Sequence, residues 1–325
     1  MHNIRLLAAR LLKGIVVLLA VLTINFVLVR AAPGDPATIL AGEAGATDAA
    51  FIEQIRQDYG LDKPLTHQFV VFAKQVMLLD FGISYREDRP VAELILDRLP
   101  ATILLTVTAL IASIAIGIGL GIAAAKRANT WVDNVITTLS LIFFAMPVFW
   151  VGLLAILYFS VHLGWLPAYG METIGAGYQG WAKVKDIAIH MILPVSTLSL
   201  FYVAIYTRVM RTASIDVMHQ DFIKTARSKG ISERRIWSKH IVRNAILPVI
   251  TFGSLQAGHL LGGSVLIETV FAWPGIGRLA FDALFQRDYN LLLAIFFVSS
   301  VIVVLINMIA DLLYHLVDPR IGASA

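Results

Sequence analysis

Asp221–Pro248, DFIKTARSKGISERRIWSKHIVRNAILP, is a basic stretch with helical periodicity set between two long apolar runs. It belongs to a polar connector of 35 residues, Arg208 to Val242. The chain around it is 58% hydrophobic and only 15% charged, with a mean hydropathy of +0.77. Soluble domains are about half apolar and about a quarter charged, so this composition is that of a membrane protein. Membrane connectors are usually short, and a polar hairpin of this length points to a soluble partner docking there.

Working outward, a helix that crosses the hydrocarbon needs about 20 mostly apolar residues. Six windows qualify: Leu11–Val29, Ala101–Ala125, Asn134–Val161, Ile187–Thr207, Asn244–Ile267 and Asn290–Ala310. The second, third, fifth and sixth contain no Asp, Glu, Lys or Arg. Lys13 lies near the end of the first, where its ammonium can snorkel to the interface. That first window is too long for a cleavable signal, and Arg30-Ala-Ala-Pro-Gly34 is a poor cleavage context, so it is expected to remain as a span.

Six spans put both termini on one side. With the termini inside, the inner segments carry fifteen of the 26 Lys and Arg residues, nine of them between Arg208 and Arg243. The positive-inside rule favours that orientation. Residues 31–99 then form an extracytoplasmic region, with a helix expected over Asp48 to Tyr59, a turn at Gly60 to Pro64 and an amphipathic stretch from Thr66 to Leu79.

Within the hairpin, Ser214 reads as an N-cap with Asp216 near the helix start. Ile215, Met218, Phe222 and Ala226 form one apolar stripe at helical period. Gly230 suits the left-handed position that ends a helix. Ser232 can cap a second helix, with Ile231 and Ile236 placed as a hydrophobic staple. Spacing alone leaves two readings open. The helix can lie on anionic lipid, at about 1 kcal/mol per basic residue, or its stripe can fill a groove on a partner.

The chain has no cysteine, hence no disulfide framework or thiolate metal site. It contains no His-Glu-x-x-His pattern, which argues against a zinc hydrolase, and no phosphate-binding G-x-x-x-x-G-K-[ST], which excludes an ATP site of that type. Gly117-x-Gly119-x-Gly121 and Gly262-Gly263 read as helix-packing surfaces. Pro147 and Pro194 are expected to kink or break helices. Asn25, His190, His259, Asn307 and Asp311 are the intramembrane polar candidates, with helix–helix hydrogen bonding the favoured role and His190 expected at the interface.

Thr225-Ala226-Arg-Ser-Lys-Gly230, followed by Ala245-Ile-Leu-Pro248, resembles the "EAA" coupling loop of ABC importer permeases. More closely, the chain resembles the B-type permease of dipeptide, oligopeptide and nickel importers. The resemblance runs nearly end to end through Pro33-Gly-Asp-Pro36, Tyr59-Gly-Leu-Asp-Lys-Pro64, Asp80-Phe-Gly-Ile-Ser84, Arg98-Leu-Pro-Ala-Thr102 and Met146-Pro-Val-Phe-Trp150. It continues in Gly164-Trp-Leu-Pro167, His190-Met-Ile-Leu-Pro194, Thr207-Arg-Val-Met-Arg211, Glu268-Thr-Val-Phe-Ala-Trp-Pro-Gly-Ile-Gly277, Arg287-Asp-Tyr289 and Asp318-Pro-Arg320. Each motif is weak alone; their common order is specific. Lys224 replaces the acidic residue of the general motif, and Gly230 stands further from Ala245 than in that pattern. Both departures resemble the peptide and nickel subgroup, and they question any salt bridge that needs a carboxylate at 224.

The resemblance implies an all-α integral membrane fold with six transmembrane helices of the type I ABC importer permease kind. It divides the chain into 1–30, the extracytoplasmic region 31–99, and a core 100–325 containing the cytoplasmic coupling loop 208–243. It further implies a multi-pass protein of the bacterial inner membrane with both termini cytoplasmic. Phe222, Lys224, Thr225, Ala226, Arg227, Gly230 and Arg234 would form the ATPase-coupling site. Glu268, Phe271, Trp273, Pro274, Gly275 and Gly277 would form an outer loop near the pathway mouth. No cofactor is expected on this chain, ATP and Mg being held by partner ATPases, and hydrolysis is expected there. The implied partners are a homologous second permease, two ATP-binding subunits, an extracytoplasmic substrate-binding protein and membrane lipid, with no nucleic acid. Di- or oligopeptides are the first substrate choice, with nickel chelates, glutathione or another small solute as the alternative. A secondary transporter would need several membrane-embedded acids and two repeat halves; only Asp311 qualifies. A membrane enzyme would need a cluster of nucleophile, base or metal ligands, and none is apparent in the sequence.

Overall fold

The computed structural model describes residues 2–31, 38, 41–42, 48–58, 62–84 and 86–317. The side chains of 2–11, 29–31, 55, 58, 254–255, 257–261, 263, 289 and 310–317 lie outside that description. Pro33–Pro36, His259, Gly263, Asp311 and Asp318–Arg320, singled out above, fall wholly or by their side chains outside it.

The described chain is nearly all helix. In order, the elements are α1 (His2–Ala31), α2 (Ala49–Asp58), α3 (Leu65–Met77), a two-stranded hairpin β1 (Ile83–Ser84) and β2 (Arg89–Pro90), and α4 (Val91–Lys126). Then come α5 (Trp131–Ala145), α6 (Val148–Ala155) with a π-helical continuation Ile156–His162, and α7 (Gly180–Met218). The short α8 (Asp221–Ser228) and α9 (Glu233–Ile236) lead through the π-helical turn Trp237–Ile241 into α10 (Val242–Val270), α11 (Ile276–Gln286) and α12 (Tyr289–Val317).

Each of the six apolar windows falls in one of these helices or in a broken pair. Among the described residues, α4, α7 and the 290–309 part of α12 are long and apolar enough to cross a membrane, and α5 with α6 makes a fourth if counted as one span. The described apolar part of α1, Leu12–Leu28, is shorter. The third window is not one straight span: α5 and α6 meet at 103°. Pro147 explains the break, since the residue before a proline is driven from the helical region, and Met146 sits at φ −79, ψ 138. Pro194 does not break its run and lies inside the continuous α7. The helix α4 begins at Val91, so its 36 residues, about 54 Å at 1.5 Å per residue, start well before the apolar window.

Contacts divide the chain into two compact units, residues 1–100 with 278–305, and 101–277 with 306–325. In the first, Phe26 of α1 meets Phe69 of α3 edge to face at 5.4 Å, and Asn25 Nδ2 donates to Leu293 O at 3.2 Å. The hairpin pairs Ile83 with Pro90 and Ser84 with Arg89. Ser84 Oγ donates to Asp288 Oδ2, while Asp288 Oδ1 accepts Leu291 N–H at 3.0 Å and so caps the start of α12. Two motifs far apart in sequence, Asp80–Ser84 and Arg287–Tyr289, thus meet at a buried hydrogen bond.

The second unit is built around α7, which packs on α5, α6 and α10. Its core includes Leu105, Tyr206, Met210, Ile267, Phe271 and Trp273. Gly117 and Gly121 let α4 approach α7: a Cβ on them would lie 2.5 Å from Tyr206 Cβ and 2.6 Å from Met210 Cβ. That is the small-residue packing expected of membrane helices. A Cβ on Gly119, on the other face of α4, would meet nothing within 4 Å, and the same holds for Gly262.

Candidate functional site

The 208–243 connector is an elbow, and its helices begin and end at other residues than periodicity suggested. The helix α7 runs on to Met218, so Ser214 is a fully buried residue inside it rather than an N-cap. His219 and Gln220 interrupt the helix, and α8 starts at Asp221 behind an extended Gln220. The break re-phases the stripe: Phe222 turns outward at 41% exposure, while Ile223 is completely buried and Ala226 nearly so. The side chains that fasten α8 to the unit are therefore Ile223 and Ala226, packed with Val217, Ile236 and Ile241.

Gly230 ends α8 as its sequence position implies. It adopts φ +73, where a Cβ is strained. Its N–H bonds Arg227 O at 2.9 Å, and Ile231 N–H reaches Ala226 O at 3.3 Å. These two bonds make the Schellman closure, with Ile231 packed on the Ala226 cluster beneath it. Ser232 then occupies the N-cap position of α9 without a side-chain bond to the helix, while Ile236 is buried as the staple requires.

The remaining coupling candidates, Phe222, Lys224, Thr225, Arg227, Gly230 and Arg234, all face outward; Ala226 does not, and its role is packing. Lys224 Nζ pairs with Asp221 Oδ1 at 2.9 Å, so the lysine supplies the cation of a local pair. Arg227 Nε reaches Glu233 Oε1 at 2.8 Å and bridges α8 to α9. Lys229, Arg234 and Arg235 carry no ion pair among the described residues. The outward face is thus one aromatic ring in a basic field, held on a fixed apolar base.

The Glu268–Gly277 motif lies in the same unit and has the opposite character. Glu268, Phe271 and Trp273 are buried to 1% exposure or less. Glu268 Oε1 accepts the Thr102 hydroxyl at 2.8 Å, and Thr102 Oγ1 accepts Ile276 N–H at 2.8 Å. Trp273 Nε1 donates to Ala101 O at 2.9 Å, and Gly170 N–H donates to Phe271 O at 2.8 Å. Gly275 is required by space: a Cβ there would sit 2.3 Å from Glu268 Oε2. Pro274 opens the turn into α11, which starts two residues later. Phe271 and Trp273 therefore belong to an internal joint, with neither ring on the surface.

A third cluster escaped the sequence reading. Asp133, 2% exposed at the start of α5, takes a two-pronged contact from Arg211 of α7 at 2.6 and 2.7 Å. Asn129 N–H adds a bond at 2.9 Å. Only Arg211 lay in a quoted motif, and nothing in the sequence named its partner. Among the intramembrane polar candidates, Asn25 makes the helix–helix bond described above, and His190 is buried with Nδ1 2.9 Å from Asp186 O. Asn307 is exposed. An open cleft of about 630 Å³ at the segment leading into α7 and the first turns of that helix is bordered by Glu172, Thr173, Tyr178 and Lys183, none of them in the two motifs.

These features define a polytopic, α-helical membrane protein with a short basic elbow and a buried interhelical joint. Residues 117–323 match the family "Binding-protein-dependent transport system inner membrane component", and residues 3–106 match the N-terminal part of such membrane components. The chain belongs to this family and is a permease component of such a system, an ABC importer subunit of the inner membrane. It is 42% identical to the oligopeptide transport system permease protein AppB of Bacillus subtilis (strain 168), over 96% of this chain and 97% of that one. It is 40% identical to the glutathione transport system permease protein GsiC of Escherichia coli (strain K12), over the same shares. In fold it is similar to the inward-facing MetNI methionine ABC transporter, with TM-score 0.55, 16% identity, and 69% of this chain covering 96% of that one. A crystal structure of an amino acid ABC transporter is similar at TM-score 0.52, 16% identity, 69% and 94% coverage.

Proposed function

We propose that this chain forms, with a second permease, the pathway of an importer for short peptides, and that two separate ATPases drive it through α8. The observation that carries the coupling role is the elbow itself. Ile223 and Ala226 fix α8 to the core while Phe222, Lys224, Thr225 and Arg227 face outward. A helix held on one face and presenting an aromatic ring on the other suits insertion into a groove on a soluble partner, and it transmits a push because its base cannot rotate freely. The even choice between lipid surface and partner is thereby weighted towards the partner, since the apolar face that lipid would need is spent inside the protein.

ATP and Mg sit on the ATPases, and this chain contributes no catalytic residue. Both termini and the elbow face the cytoplasm, as the distribution of Lys and Arg favours; the 31–99 region and an extracytoplasmic binding protein face the other side. Peptides are the substrate because relatives named for oligopeptide and for glutathione, itself a small peptide, match over nearly the whole chain. The test is co-purification: Phe222→Asp should still insert and keep its unfolding midpoint but lose its ATPases. Retention of the ATPases by that variant would overturn the docking face. The substrate class is tested by titrating di-, tri- and pentapeptides and nickel chelates against the binding protein encoded with this chain; binding of chelates alone would replace the peptide reading.

A further inference from the structure

Glu268 is fully buried at the end of α10, and its carboxylate reaches α11 through the Thr102 hydroxyl. Thr102 Oγ1 donates to Glu268 Oε1 and accepts from Ile276 N–H, each at 2.8 Å. The carboxylate thus stands beside the N-terminal turn of α11, where negative charge is favoured. Oε2 fills space that side chains at 275 and 277 would occupy, with a Cβ on Gly277 2.9 Å away. Trp273 Nε1 on Ala101 O forms a second strut between the same two stretches. Burying a carboxylate costs free energy that an apolar side chain at 268 would not, so packing alone does not account for it.

We propose that Glu268 is a positioning residue for transport. Acting through Thr102, it binds residues 101–102 and 268–277 into one body that moves together through the transport cycle and does not open within it. This rests on the reading of the chain as a permease driven by separate ATPases.

The experiment is ATP hydrolysis by the whole importer in nanodiscs, this chain with its partner permease, ATPases and binding protein, with and without the binding protein. Wild type should be stimulated by the binding protein; its failure would sink the coupled-permease reading, and this inference with it. Thr102→Val, which keeps the shape and removes the hydroxyl, should lower the stimulated rate about tenfold, while assembly and basal hydrolysis stay as in wild type. Glu268→Leu should give the same split, and Thr102→Ser should restore stimulation. A merely structural role would instead lower assembly, basal and stimulated rates together, and that parallel loss overturns the proposal, as does normal stimulation of Thr102→Val.

A second variant tests directly whether the joint opens. The chain is free of cysteine, so in Thr102→Cys with Ile276→Cys only these two thiols can pair, and their cross-linking on oxidation is verified by thiol counting before the assay. Oxidised, this pair should be stimulated like wild type, because the covalent tie replaces the hydroxyl bridge; reduced, it should behave like Thr102→Val. Block of stimulation by oxidation and recovery on reduction would show that the joint opens in each cycle, and the inference would be wrong.

Discussion

The elbow at 221–241 and the joint at 268–277 are opposite solutions to holding a short polar segment in an apolar chain. The elbow buries two apolar side chains, Ile223 and Ala226, and leaves its charges outside as pairs, Lys224 with Asp221 and Arg227 with Glu233. The joint buries the carboxyl group itself and binds it internally through Thr102. Exposed ion pairs contribute little and exchange readily with a partner's charges, whereas a buried carboxylate with its hydrogen-bonded neighbours is costly to disturb. The first arrangement suits a surface that must engage another protein; the second suits an internal fixture.

Substitutions can break that contrast. The largest loss should come from Trp273→Ala, which removes a fully buried ring and its bond to Ala101; about 4 kcal/mol is expected, read as a lowered unfolding midpoint in detergent. Ile223→Ala should cost about 3 kcal/mol by leaving a cavity under α8, and a smaller loss by the same measurement would mean that the elbow is not core-anchored. Asp133→Ala should cost about 2 kcal/mol, less than a fully buried pair, because the Arg211 side chain it abandons is 27% exposed. Phe222→Ala should leave the midpoint unchanged and weaken ATPase binding about tenfold in a titration. Smallest of all, Lys224→Ala should alter neither midpoint nor assembly, since its pair with Asp221 is solvent-exposed. If Lys224→Ala rather than Phe222→Ala released the ATPases, the face would be read by charge and not by its ring.

Much of this was legible because apolar length is a one-dimensional signal. The six windows all fall in helices or in a broken pair of them, and Gly230 ends α8 because left-handed backbone selects glycine wherever it occurs in sequence. The stripe through Phe222 misled because periodicity assumes one unbroken helix; the interruption at His219–Gln220 rotated Ile223 inward instead. Pro147 broke its run whereas Pro194 stayed within α7, a difference set by surroundings and not by the residue.

The sequence by itself determined the membrane class, the places of the apolar helices and the membership in a permease family, since composition, run length and ordered motifs need no partner in space. Tertiary structure alone decided which residues of the elbow are anchor and which are face. It also paired Thr102 with Glu268, Ser84 with Asp288 and Asp133 with Arg211. Each pair joins residues remote in the chain, and a hydrogen bond depends on distances of about 3 Å that only the packing of the helices sets.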